Sequence, residues 1–136
     1  MDFTLKNYSL LLKTIMNSAY SVQTFYDFIQ NPKEKTIVLR HDVDLLPGNS
    51  LSFAKLQNEL GIRGSYYFRA VPESWDENII KEIANLGHEV GYHYETMDTA
   101  KGNVDLAWDQ FRYHLDALRK LVDVKTICMH GSPRSP

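Results

Sequence analysis

The sequence has a single cysteine, no strongly basic stretch and no long apolar run. Cys128 has no second cysteine to pair with, which excludes an internal disulfide and suits a reducing compartment. With 15 Lys and Arg against 17 Asp and Glu, and a net charge of −2, nucleic-acid binding has no electrostatic footprint. No apolar segment reaches the roughly 20 residues that a membrane-spanning helix needs. The N-terminal residues 1–6 lack a basic region, and Lys13 interrupts Leu10-Leu-Leu12, which argues against a secretory leader. A cytoplasmic protein is the resulting expectation. Repeats, low-complexity segments and linkers are also missing. What remains is a 136-residue chain, 43% hydrophobic, that fits one globular domain over residues 1–136.

Apolar spacing sets the expected elements. Leu5, Tyr8, Leu12, Ile15, Met16 and Ala19 predict an opening helix. Ser21 is placed to cap a second, with Val22, Phe25, Tyr26 and Ile29, ending at Asn31-Pro32. These form an N-terminal helical pair over residues 1–33. Thr36 to Arg40 reads as a buried strand. Pro47-Gly48-Asn49 turns into a helix with Phe53, Leu56 and Leu60, stopped by Gly61. A strand over Gly64–Ala70 follows. Ser74-Trp-Asp-Glu77 matches a capping box and opens a helix with Ile79, Ile80 and Ile83, stopped by Gly87. His88–His93 is the third strand. Val104 to Val122 carries the longest helix, and Lys125–Met129 is the fourth strand. Alternation of this kind implies a parallel sheet with right-handed crossovers, whose strand ends all face one rim.

Chemistry concentrates at those ends. Arg40-His-Asp-Val-Asp44 follows the first strand, His93 ends the third, and His130 follows the fourth. Carboxylates and imidazoles this close repel, share protons or bind a cation. Zinc accepts mixed His and carboxylate ligands, and a further carboxylate beside it can take a proton from water. A polar solvated loop is the plain alternative for the acid pair. His88 reads as a structural residue at a strand start and His114 as part of a solvated helix face. His41 reads as a group that orients a carboxylate. Tyr67 should face away from Tyr66 and Phe68. Arg69 reads as a surface ion-pair partner, and Trp75 and Tyr94 as packing or sugar-stacking rings.

Three segments resemble the polysaccharide deacetylase superfamily. They are Arg40-His-Asp-Val-Asp44, Gly87-His-Glu-Val-Gly-Tyr-His93 and His130-Gly-Ser-Pro133. The resemblance implies an α/β fold, a partial (β/α) barrel of about four parallel strands over residues 34–136. It implies a metal-dependent hydrolase that removes acetyl groups from N-acetylated sugars or polysaccharide precursors, with Zn2+ as the metal. Asp42 would be the general base, with Asp44 and His93 as metal ligands. The family's second metal-binding His falls at Met97 here, a poor donor for a hard site. His130 is the preferred replacement, with Glu95, Asp98 or a water as alternatives. His130 is also a candidate general acid on the leaving amine. A complete barrel takes roughly 200 residues or more, so the C-terminal part is expected to be missing, with a homo-oligomer as one way to cover the open edge. The rival reading is a catalytically inactive, deacetylase-like carbohydrate-binding or assembly domain.

Overall fold

The strand expected over Thr36–Arg40 breaks at Leu39 and changes partner there, in a computed structural model that describes residues 4–131. Thr36–Val38 (β2) pairs in parallel with Ser21–Gln23 (β1), a strand that the sequence reading missed. Arg40–Val43 (β3) begins a second sheet with Ser65–Phe68 (β4), Glu89–Tyr94 (β5) and Ile127–Met129 (β6). Its order is β3-β4-β5-β6, and every neighbouring pair is parallel. The fold is therefore α/β, with parallel strands in sheets of two and four and helices flanking them. Ile37, Val38 and Leu39 are half-buried, not fully buried as expected, because a two-stranded ribbon offers little to pack against.

The helices are Leu5–Met16 (α1), Phe25–Gln30 (α2), Pro47–Glu59 (α3), Glu77–Asn85 (α4), Thr96–Thr99 (α5) and Val104–Leu121 (α6). Two expected caps need correction. Ser21 belongs to β1, where its N–H donates to Lys35 O at 2.8 Å. Thr24 caps α2 instead, its Oγ1 accepting from Asp27 N at 3.1 Å. Asp76 caps α4, taking the N–H groups of Asn78 and Ile79 at 3.0 Å each. Ser74 is buried. It accepts from Arg69 N at 3.1 Å and donates a short hydrogen bond to Val43 O, tying the loop after β4 to the end of β3.

Period-2 alternation divides the four-stranded sheet into two chemically distinct faces. Val43, Tyr66, Phe68, Val90 and Tyr92 meet Ala54, Ile80, Ile83 and Leu118 in the core under the helices. Full burial of such side chains stabilises by roughly 1.5–3 kcal/mol each. Arg40, Asp42, Tyr67 and His93 take the other face. Tyr67 lies beside Gly91 in register, and a Cβ at Gly91 would overlap the Tyr67 ring. The Tyr67 hydroxyl bonds Thr126 Oγ1 at 2.9 Å. Because the strands are parallel, their C-terminal ends bring Asp42, Asp44, Arg69, His93, Glu95 and His130 to one rim.

Candidate metal centre

Each donor reaches the rim for a local reason. Asp44 follows β3, two residues before Leu46, which holds a left-handed φ of 53° at the entry to α3. His93 sits in β5, its side chain only 3% exposed. Its Nδ1 lies 3.1 Å from Cys128 O. A carbonyl only accepts, so Nδ1 carries the proton and the neutral ring presents the Nε2 lone pair. Burial lowers the His93 pKa, and the carboxylate of Asp42 opposes it; the neutral ring is the favoured form. His130 is anchored by its own backbone, its N–H donating to Tyr94 O at 2.8 Å.

Three donor atoms converge. His93 Nε2 and His130 Nδ1 are 3.1 Å apart. Asp44 Oδ1 is 3.3 Å from His130 Nδ1 and 3.7 Å from His93 Nε2. Ligands at 2.0–2.1 Å around a tetrahedral zinc stand about 3.3 Å from one another, so the triangle has the right size. Asp44 supplies a second indication. Its side chain is 44% exposed, yet Oδ1 itself is buried and makes no hydrogen bond among the described residues. The nearby His130 nitrogen is close enough for an ion pair but lacks hydrogen-bond geometry. A buried carboxylate oxygen left in this state is costly unless a cation or proton reaches it. Among the described residues Asp44, His93 and His130 form a group able to hold a metal ion. The imidazole and carboxylate chemistry suits zinc.

Asp42 stands beside this group, its Oδ2 3.8 Å from His93 Nε2. Arg40 grips both its oxygens, Nε to Oδ1 and Nη2 to Oδ2, each at 2.7 Å. The Arg40 guanidinium also lies 5.5 Å from the Tyr67 ring centre. Each Asp42 oxygen retains a further lone pair for a proton.

The other candidates fall elsewhere. Glu95 is committed to Arg69, with Nη2 at 2.9 and 2.8 Å from its oxygens. Arg69 is therefore not the surface partner expected: the two side chains are 21% and 13% exposed. Met97 is exposed and lines a cleft of about 210 Å³ with Tyr94, Glu95, Asp98, Met129 and His130. His41 does not orient a carboxylate. Alternation turns it to the helix face, where it stacks on Tyr66 at 4.4 Å and meets Tyr8 and Gln57. His88 is structural as expected, accepting from Gly64 N at 3.0 Å through Nδ1 and meeting Ala54 O at 2.9 Å through Nε2. His114 is half-buried and bonds the Tyr92 hydroxyl at 3.1 Å, which corrects its reading as a solvated residue. Trp75 packs against the core. Ser132 and Pro133 of the third motif lie outside the described residues.

Sequence reasoning missed the pairing of Arg69 with Glu95, the grip of Arg40 on Asp42, and the link from Ser74 to Val43 O. The period-2 spacing of Arg40 and Asp42 put them on one face and could have signalled that contact. No comparable signal links Arg69 to Glu95, which are far apart in sequence. No helix among the described residues is long and apolar enough to cross a membrane. No family model matches the chain, and no curated protein or solved structure does either.

Proposed function

We propose that this chain is a metal-dependent hydrolase that removes acetyl groups from N-acetylated sugars or polysaccharide precursors, on a partial barrel of the polysaccharide deacetylase type. The observation that carries the reading is the convergence of Asp44 Oδ1, His93 Nε2 and His130 Nδ1 beside the Asp42 carboxylate. Asp44, His93 and His130 would hold zinc. Zinc there would polarise an acyl carbonyl and make water a better nucleophile at neutral pH. Asp42 accepts the proton of the attacking water, and Arg40 holds that carboxylate in place. His93 keeps its Nδ1 proton on Cys128 O and so offers only Nε2. His130 turns Nδ1 towards the donors, which favours its role as ligand over that of general acid. The cleft beside His130 and Met97 offers room for the sugar.

One observation favours an inactive, deacetylase-like carbohydrate-binding domain instead. A guanidinium bonded to both oxygens of Asp42 takes up one side of the carboxylate and limits how a water can approach it. Metal analysis and acetate release separate these readings. The parent protein should take up stoichiometric zinc and release acetate from N-acetylglucosamine oligomers. Asp44→Ala and His93→Ala should lose the metal. Asp42→Asn should keep it and lose roughly 10²–10⁴-fold in turnover. Zinc uptake by Asp44→Ala and His93→Ala equal to the parent's would sink the assigned centre. Zinc and sugar binding without any acetate release would select the inactive reading.

A further inference from the structure

The Arg69–Glu95 pair lies directly behind His130 and spans the loops that follow β3 and β5. Arg69 comes just after β4, between them. Its Nη1 donates to Asp44 O at 3.2 Å, so it holds the backbone of one metal-ligand candidate. Its Nε and Nη2 hold Glu95, with Nε 3.2 Å from Oε1. The Glu95 carboxylate in turn faces the imidazole of another candidate, with Oε2 3.9 Å from His130 Nε2. That imidazole points its other nitrogen, Nδ1, at Asp44 Oδ1 and His93 Nε2. The chain of contacts thus closes on itself: Asp44 backbone, Arg69, Glu95, His130, Asp44 carboxylate.

We propose that Glu95, held by Arg69, is a positioning residue for His130. It accepts the Nε2–H hydrogen bond and so leaves Nδ1 unprotonated as the metal donor. A neutral imidazole carries one ring proton, and whichever nitrogen holds it cannot ligate. His93 has this choice made by Cys128 O, and Glu95 is the acceptor placed to make it for His130. At 3.9 Å the Glu95 carboxylate stands about 1 Å beyond a hydrogen bond, and without a metal His130 Nδ1–H donates to the His93 Nε2 lone pair at 3.1 Å. A metal taking both nitrogens would move the His130 proton to Nε2, the side that Glu95 faces. Arg69 has a second effect. By bonding both Glu95 oxygens it fixes the carboxylate on the Nε2 side of His130, while each oxygen keeps a further lone pair for that N–H. Carboxylates behind metal-ligating histidines commonly set ring orientation, and losing one costs metal affinity about 10–100-fold.

The inference rests on the metal-centre reading, so the experiment reports on each separately. Zinc affinity of the full chain is measured by chelator competition for the parent, Glu95→Ala and Glu95→Gln. Nitrogen-15 shifts of the histidine rings are recorded on the zinc-loaded proteins. The parent should show His130 metallated at Nδ1 and protonated at Nε2. Glu95→Ala should bind zinc about 10–100-fold more weakly and lose that single ring signature. Glu95→Gln retains a carbonyl acceptor and the side chain's volume. It should keep the signature with a smaller loss, and it decides the matter if the alanine variant does not fold. Parent-like affinity and ring shifts in both variants overturn the positioning role while leaving the centre intact. No zinc binding by the parent overturns both.

Discussion

At the scale of single residues, neighbours in sequence do opposite work. His41 and Asp42 are adjacent, and strand alternation sends one under the helices and the other to the rim. His41 shares a buried network in which Gln57 Nε2 donates to the Tyr8 hydroxyl at 2.6 Å and Tyr66 donates to Gln57 Oε1 at 2.7 Å. Burial pushes the His41 pKa down to about 4. Above the ordinary value near 6.5 the ring is neutral folded or unfolded, and stability is fully present. Below it the unfolded chain takes up a proton that the folded chain refuses until about pH 4. Stability should therefore fall through that window by up to about 3 kcal/mol. Urea unfolding of the parent and of His41→Gln at pH 7 and pH 5 checks this; an equally steep loss in the variant would acquit His41. The residues of the rim were legible because Asp42 and Asp44 come soon after the apolar run over residues 37–39, and His93 and His130 lie at or just past the ends of later strands. His41 was misassigned because proximity in sequence was given more weight than the pleat.

At the scale of elements, helices were easier to read than strands. The long amphipathic pattern of α6 and the glycine stops at Gly61 and Gly87, both with positive φ, survive into the structure. β1 did not announce itself. It is three residues long, and Val22, Phe25, Tyr26 and Ile29 happen to fall at helical spacing across the boundary between a strand and a short helix. The break at Leu39 was equally hidden, since an apolar run does not say which strand it pairs with. Gly91 has a clear element-level role: it leaves the space in β5 that the Tyr67 ring of β4 fills. Gly91→Ala should cost about 1–3 kcal/mol through overpacking. The loss should shrink when Tyr67 is also cut to alanine; a denaturant midpoint unmoved by Gly91→Ala would refute this account of the glycine.

At the scale of the whole molecule, one end of the sheet holds a hydrogen-bonded hub and the other gathers imidazoles and carboxylates. At the N-terminal end of β5, Glu89 Oε2 accepts from Tyr26 N at 3.1 Å and Ser65 Oγ at 2.5 Å, and Oε1 accepts from Thr126. Ser65 Oγ also accepts from Phe25 N at 2.8 Å, so this hub fastens the α2 segment to the large sheet. The opposite rim holds Asp44 Oδ1, buried and without a hydrogen bond among the described residues. If a cation reaches that oxygen, the stability of the chain would depend on the metal in solution. A ligand that binds only the folded form raises unfolding free energy by thermodynamic linkage, about 2.7 kcal/mol at a hundredfold excess over its dissociation constant. Thermal unfolding of the parent should climb with added zinc and fall back when a chelator is supplied, whereas Asp44→Asn should respond little. With zinc held there, the rim would act as a gauge, and the melting temperature would read out the free metal concentration.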